Sequence, residues 1–237
     1  MNDEIDTSFD VRSDAGGKDP DQHSAALRRF HQILWSKPLP NGAKFTLDIT
    51  TPWVYLHHKS ALGEFELSSD SIVHPFDYWI RTEQVIKQIP QEDLDAFNDL
   101  GGTVGGFLVF PSNQVDGGQT INMARGRSRK IDDRIDLTLE CIRRHFLGES
   151  NPLDSTLAQY REFFSLFNDF DGYVDFFLLR DLVSPAGAVK FFLPFDDFMT
   201  PTLPTTVDEY QAYRQAVMAF VVARNGRIDS REGAAAG

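Results

Sequence analysis

The chain has 237 residues, of which 41% are hydrophobic and 12% aromatic, and this composition is typical of an ordered globular protein and not of a disordered one. The net charge of -12 argues against broad, nonspecific binding to nucleic acid or to anionic membranes. A single cysteine, Cys141, excludes an internal disulfide and a thiolate-rich zinc site.

The start of the chain is acidic and lacks the apolar core of a signal peptide, and no apolar run has the length of a membrane span. We therefore expect a cytoplasmic protein with no membrane partner. In the first half of the chain, the sequence predicts an irregular segment at 1–20 and then a helix at 21–35. Strands are expected at 44–49, 52–58 and 63–70, helices at 75–89 and 90–100, and a further strand within 101–113.

The second half of the chain is mostly helical. Its expected elements are helices at about 129–147, 153–170, 172–183 and 206–225, and a short extended segment at 188–195. Because strands come first and helices later, the order predicts an α+β fold, with a small, mainly antiparallel sheet from the N-terminal half packed by helices mostly from the C-terminal half. This single domain is expected to span 21–225, followed by a flexible tail at 226–237.

A cationic stretch interrupts the acidic chain at residues 117–134. It carries five basic residues, which are Arg125, Arg127, Arg129, Lys130 and Arg134. Over residues 119–148 there are seven basic and four acidic residues, so the local charge has the opposite sign to that of the whole chain. The stretch is expected to be a loop between the strand at 101–113 and a helix N-terminus, where unpaired backbone N–H groups favour anions.

This arrangement predicts a pocket for a phosphate-bearing small molecule such as a nucleotide. Arginine side chains would hold phosphate oxygens, and neutral amides would orient the ligand. The residues expected to bind it are Gln119, Asn122, Arg125, Arg129, Lys130, Arg134 and Tyr173. The segment contains neither a P-loop nor a G-x-G-x-x-G pattern, so the prediction depends on charge and position and not on a motif.

Two alternatives remain open for the basic loop at 125–130. It could dock an acidic protein or a few phosphates of nucleic acid, the latter being the less favoured partner because of the acidic remainder of the chain. It could also be a solvated structural loop whose cations pair with neighbouring carboxylates.

For Arg134 as well, a structural role and a ligand-binding role both remain open. On a helical projection Arg134 falls beside Cys141 and His145, on the shoulder of the apolar face, whereas Asp136 and Glu140 fall on the opposite arc. A cation at this position requires a partner, because an unpaired buried charge is costly. It is either a salt bridge to a loop carboxylate or a clamp for the ligand.

Evidence for catalysis is weak. No nucleophile elbow is present, and the spacing of His, Asp and Glu matches no metal signature, so no metal site is expected and no cofactor is identified. Asp133 and Asp136 are the candidates for an acid, a base or a metal ligand, and His74 could act with Asp77. The aromatic spacing at 160–177 favours a packed core, with Tyr173 retained as a ligand contact because it follows Gly172 at an expected turn.

Three blocks of sequence carry a resemblance. They are GGFLVFPSNQVDGGQTINMARGRSRKIDDRIDLTLECIRRHFLGESNPL with its IN-x-ARG segment, YREFFSLFNDFDGYVDFFLLRDLV and VKFFLPFDDF. The order of these three blocks resembles that in a family of uncharacterised bacterial proteins, which is classed as a domain of unknown function. The resemblance implies a compact cytosolic bacterial protein and transfers no activity or catalytic residue.

Overall fold

A computed structural model describes residues 5–77, 79–114 and 117–235, with side chains through Ser230. The strands are Leu56–Ser60 (β1), Gly63–Ser71 (β2) and Phe107–Pro111 (β3). The helices are Pro20–His23 (α1), Ala25–Trp35 (α2), Glu83–Ile86 (α3), Gln91–Gly101 (α4), Ile121–Arg127 (α5), Ile135–Leu147 (α6), Asp154–Gln159 (α7), Arg161–Ser165 (α8), Phe170–Phe176 (α9) and Val207–Ala235 (α10). The fold is α+β, as expected from the order of elements.

The sheet has the order β1-β2-β3 and is antiparallel throughout. β1 pairs with the first half of β2, from Ser60 opposite Gly63 to Leu56 opposite Leu67. β3 pairs with the second half of β2, from Leu67 to Ser71. Among the described strands, the second half of β2 therefore has a partner on one side only, and side chains can contact its other edge.

The core lies between this sheet and the helices of the second half of the chain. All five residues of β3 are buried, as a short apolar strand covered on both faces requires. The aromatic residues expected to form core do so, since Phe163, Phe167 and Phe177 are at most 2% exposed. Arg224 of α10 reaches the same region and donates to the carbonyl oxygens of Gly105, at 2.9 Å, and Phe107, at 2.6 Å.

Two expected elements of the first half are wrong. Residues 44–49 form isolated bridges instead of a strand, joining Lys44 to Pro38 and Asp48 to His57. Residues 75–89 form only the four-residue α3. Phe76 has a left-handed φ of 57°, which a continuous helix does not accommodate, and the Thr82 hydroxyl donates to its carbonyl oxygen at 2.6 Å.

The basic stretch is also organised differently from the expected loop. Thr120 caps α5 by accepting the N–H of Met123 at 3.2 Å, so a helix begins within the stretch. A turn follows, in which Asp132 and Asp133 have φ values of 46° and 62°. Two successive left-handed residues interrupt a right-handed helix, so α6 begins at Ile135 and not near Arg129.

The other boundaries differ less. The helix expected at 153–170 is divided into α7 and α8. The helix expected at 172–183 is replaced by α9, which begins earlier at Phe170 and ends at Phe176, and by a 3-10 turn at Arg180–Leu182. Residues 188–195 contribute a single bridge, Val183 to Val189, instead of a strand. α10 continues past Asn225 to Ala235. Residues 1–4 of the expected irregular segment and 236–237 of the expected tail lie outside the described residues.

Candidate functional site

Arg125 is a fully buried side chain in the last turn of α5. Its guanidinium donates to Asp70 Oδ2 at 3.0 Å, to the Asp133 carbonyl oxygen at 2.7 Å and to Thr138 Oγ1 at 3.3 Å. These partners belong to β2, to the turn after α5 and to α6. Arg125 therefore joins three elements of the fold, and all three nitrogens of its guanidinium already have partners.

Arg134 precedes α6 as its N-cap and forms a buried ion pair with Asp136. Its Nε donates to Asp136 Oδ1 at 3.1 Å and its Nη1 to the Thr202 carbonyl oxygen at 3.0 Å. Asp136 also accepts the N–H of Phe192 at 2.9 Å. The expected partner was a loop carboxylate, whereas the observed one lies in the first turn of α6, where the helix dipole favours a carboxylate.

The arc of α6 opposite its apolar face is also largely covered. Asp136 is 0% exposed and Glu140 4% exposed, although the helical projection places both on that arc. Periodicity assumes one buried face, but the segment around Phe192 and Thr202 packs over the second face of α6. Glu140 is compensated by Arg143 and Arg144, whose Nε atoms each lie 2.8 Å from its carboxylate, and these bonds lower its pKa against the effect of burial.

The two left-handed aspartates hold the turn between α5 and α6. Asp132 is buried and accepts two bonds from Arg81, at 2.6 and 3.1 Å, and one from the Thr202 hydroxyl. Asp133 Oδ1 lies 3.2 Å from Arg125 Nε, and its Oδ2 lies 3.7 Å from His74 Nε2. Such backbone strain persists only where the surroundings fix it, and here the fixing groups are ion pairs.

His74 is buried beside this network and contacts Asp133, whereas the sequence suggested Asp77 as its partner. Its Nδ1 accepts the N–H of Phe76 at 3.1 Å, so in the neutral ring the proton is on Nε2, toward Asp133. Burial lowers the pKa of His74, and the charge of Asp133 opposes that effect. Both ring nitrogens are directed at protein groups, which is the arrangement of a structural histidine.

A cationic cleft of about 460 Å³ lies on the outside of the same turn. We define it by Arg81, Arg129 and Lys130 on one side and residues 198–205 on the other. The side chains of Arg129 and Lys130 are exposed and make no hydrogen bond or ion pair with any residue that the structure describes. No carboxylate stands among the described lining residues, so the cleft concentrates positive charge on an acidic protein.

The remaining predicted ligand residues are dispersed. Gln119 is exposed outside the cationic cleft, and Asn122 lines a different cavity. Tyr173 is 0% exposed among phenylalanines, its hydroxyl has no partner among the described residues, and burial raises its pKa well above the usual value. The structure therefore brings together Arg129 and Lys130 of the predicted set and adds Arg81, which the sequence did not identify because it lies about fifty positions away.

An acidic cavity of about 560 Å³ is the second site that the sequence missed. We define it by Asp19, Asp21, Asp70 and Asn122. Burial raises the pKa of Asp21 to about 7 and that of Asp70 to about 6. The charge of Arg125 opposes the shift at Asp70, whose side chain is 34% exposed. Carboxyl groups that exchange protons near neutrality, in a cavity, are typical of functional sites.

Two further features concern metal-binding groups and long apolar helices. No group of three or more His, Cys, Asp and Glu side chains there is arranged to hold a metal ion. Within the same residues, no helix has both the length and the apolar character that crossing a bilayer requires.

The chain is therefore an α+β protein that has a cationic cleft and, at a separate place, an acidic cavity. The chain belongs to a family of unknown function, DUF6994, whose model matches residues 5–228. The resemblance to a domain of unknown function is thereby confirmed over nearly the whole chain. No curated protein and no solved structure matches the chain.

Proposed function

We propose that the cationic cleft binds a phosphate-bearing small molecule, such as a nucleotide. The observation that carries this proposal is the pair Arg129 and Lys130, two exposed cations with no partner among the described residues, beside a 460 Å³ space that no described carboxylate lines. Cations that were only structural would be expected to pair with the abundant acidic groups of this chain, as Arg125 and Arg134 do.

Arg81 would be the preorganised member of the site. Its guanidinium is held by Asp132 and lies 4.9 Å from the centre of the Trp79 ring. Asp132 takes up one unit of positive charge but lies behind Arg81 and does not line the cleft. Arg129 and Lys130 then supply the charge that a phosphate group neutralises, through charge-assisted hydrogen bonds.

The opposite wall supports an organic ligand in preference to free phosphate. Residues 198–205 contribute Phe198, Met199 and Leu203 to the lining, with Arg144 lying 4.9 Å from the centre of the Phe198 ring. Pockets for small ligands combine such apolar surface with a few polar anchors. A sugar or a base would pack there while its phosphate contacts Arg129 and Lys130.

The proposal moves the site away from several residues named from the sequence. Arg125 and Arg134 would act indirectly, by holding the turn that presents Arg129 and Lys130. Asp133 and Asp136 would serve the same buried ion pairs, so we assign no reaction. We also propose a location in the bacterial cytoplasm, on the resemblance to bacterial proteins and on the single buried cysteine, which fits a reducing compartment.

The test is calorimetric titration of the protein with ATP, AMP and inorganic phosphate. The double variant Arg129→Ala/Lys130→Ala should lose affinity by ~100-fold or more, because each charged hydrogen bond contributes about 1.5–3 kcal/mol. The matched control is Arg127→Ala/Lys18→Ala, which removes the same charge from two exposed residues outside the cleft.

Equal loss in both double variants, or no binding of any of the three compounds, would contradict the proposal. The dependence of binding on salt concentration distinguishes this proposal from the alternative, in which the basic loop docks on an acidic protein or on nucleic-acid phosphates. Binding of nucleic acid through phosphate contacts weakens steeply with salt. Binding of a nucleotide in the cationic cleft should saturate at one site and depend on salt less strongly.

A further inference from the structure

The acidic cavity forms where the sheet is incomplete. β1 ends opposite Leu67, so Ser69 of β2 has β3 on one side and no strand on the other. Asp21 takes the place of that strand, because its Oδ1 accepts both the N–H and the hydroxyl of Ser69, each at 2.6 Å. Asp19 caps α1 and Pro20 begins it, which fixes Asp21 in this position.

Two acceptors of the cavity have no donor among the described residues. Asp21 is 8% exposed, and its hydrogen bonds from described donors use Oδ1 alone, which leaves Oδ2 open to the cavity. Asn122 Oδ1 is buried and also unpaired, and the amide nitrogen of Asn122 makes only long contacts of 3.4 Å with Ser68 and Ser69. Buried polar atoms normally have partners, so the buried Asn122 Oδ1 indicates a missing donor.

The charges around the cavity favour a cation. Asp19, Asp21 and Asp70 line it. Arg12 also lines the cavity, but its guanidinium is held by Asp10 at 2.8 Å. Arg125 contacts Asp70 at 3.0 Å and lies outside the lining. The cavity therefore presents more negative than positive charge to whatever enters it.

We propose that the acidic cavity binds a small organic cation that carries a primary ammonium group. An ammonium has three N–H donors and no acceptor, which matches Asp21 Oδ2 and Asn122 Oδ1. Val73, Phe107 and Met123 also line the cavity and provide apolar surface for an alkyl chain. This site is distinct from the cationic cleft, and neither proposal depends on the other.

The proposal also predicts how binding depends on pH. The pKa of Asp21 is raised to about 7 by burial and further by the charges of Asp19 and Asp70, while the bonds from Ser69 act in the opposite direction. Burial, and after it the charge of Asp21, raises the pKa of Tyr55 well above its usual value, so this phenol stays neutral between pH 6 and 8. An ammonium pairs with the ionised carboxylate, so its affinity should rise as the pH is raised from 6 to 8.

The experiment is titration of the full chain with putrescine, with 1,4-butanediol as a probe of matched length and no charge. Putrescine should bind at one site and the diol should not. Asp21→Asn should weaken putrescine binding by at least ~10-fold, the low end of the contribution of a charged hydrogen bond. Asp95→Asn removes the same charge from an exposed position outside the cavity and should leave binding unchanged.

Asn122→Ala provides a second variant that leaves the charge unchanged and removes an acceptor with no donor in the described part of the chain, so the fold should tolerate it. It should weaken putrescine binding several-fold, and it decides the question if Asp21→Asn does not fold. The proposal is overturned if putrescine does not bind, if the diol binds equally well, or if Asp95→Asn has the same effect as Asp21→Asn.

Discussion

Arg134 and Asp136 are two positions apart in the sequence and form an ion pair in which neither side chain is more than 1% exposed. Arg134 has an extended backbone at the N-cap of α6, with φ of -71° and ψ of 127°, while Asp136 is already in the first helical turn. This change of backbone direction brings the two side chains together. Arg134 Nη1 also donates to the Thr202 carbonyl oxygen, and Asp136 Oδ2 accepts the N–H of Phe192, so the pair joins the segment around residues 192–202 to α6.

Arg134→Ala should lower the free energy of unfolding by about 3–5 kcal/mol, because it leaves the Asp136 carboxylate buried without its cation. Urea denaturation measures this loss. Arg127→Ala, an exposed arginine in the preceding helix, should change stability by no more than about 0.5 kcal/mol. In the double variant Arg134→Ala/Asp136→Ala the loss should be smaller than the sum of the two single losses. A change of less than about 1 kcal/mol in Arg134→Ala would contradict a structural role.

Asp21→Asn should alter the pH dependence of stability in a defined window. The folded carboxyl keeps its proton up to about pH 7, while the unfolded one loses it near pH 4. Between these values the folded state binds more protons, so the stability of the natural chain falls as the pH rises, by up to ~1.4 kcal/mol per pH unit for this group. Asp21→Asn lacks this contribution.

Urea denaturation of the two proteins at pH 5, 6, 7 and 8 gives the comparison. The stability of Asp21→Asn relative to the natural chain should increase from pH 5 to 7 and then level off. Asp95→Asn should show no such trend, because that carboxylate is exposed. Parallel profiles for Asp21→Asn and the natural chain would show that the Asp21 pKa is not raised.

Gly226→Ala tests whether α10 continues beyond Asn225. A Cβ at position 226 would meet nothing within 4 Å, and alanine favours a helix over glycine by about 1 kcal/mol. The variant should therefore be more stable by up to that amount, as measured by thermal or urea denaturation. A frayed tail at this position would give no gain. Gly106→Ala is the opposite case, since its Cβ would lie 2.2 Å from the Gly101 carbonyl oxygen and should destabilise the fold.

Cys141 should be unreactive in the folded protein. Its side chain is 0% exposed in α6, and burial raises the pKa of its thiol well above the usual value, so little thiolate forms. A disulfide reagent such as DTNB should label the native protein slowly and the urea-unfolded protein fully, with one equivalent per chain. Rapid labelling of the native protein would show that α6 opens readily or that the thiol is accessible.

Local patterns predicted those elements whose stability is local. Apolar residues at helical spacing identified α2, and Ser24 caps it by accepting the N–H of Leu27 at 3.0 Å. The strand expected at 63–70 is β2, Gly63–Ser71. The turn after α5 was not predictable in this way, because Asp132 and Asp133 are held in left-handed conformations by partners distant in the sequence, such as Arg81 and His74.

For the cationic stretch as well, the sequence predicted the charge, whereas only the tertiary structure determined the surroundings of each side chain. Charge counting located five basic residues in an acidic chain, but it could not distinguish Arg125, which is fully buried against Asp70, from Arg129, which is exposed at a cleft. That difference depends on contacts across about fifty residues. Likewise, the acidic cavity exists because β1 ends early and Asp21 replaces it beside Ser69.

The sequence by itself determined the fold class, the family and the segment that carries positive charge, because composition, periodicity and motif order are local properties. Only the tertiary structure decided which charges are neutralised and which remain free. The cost of burying a charge depends on which partners the fold brings within hydrogen-bonding distance, and chain packing sets those partners at long range.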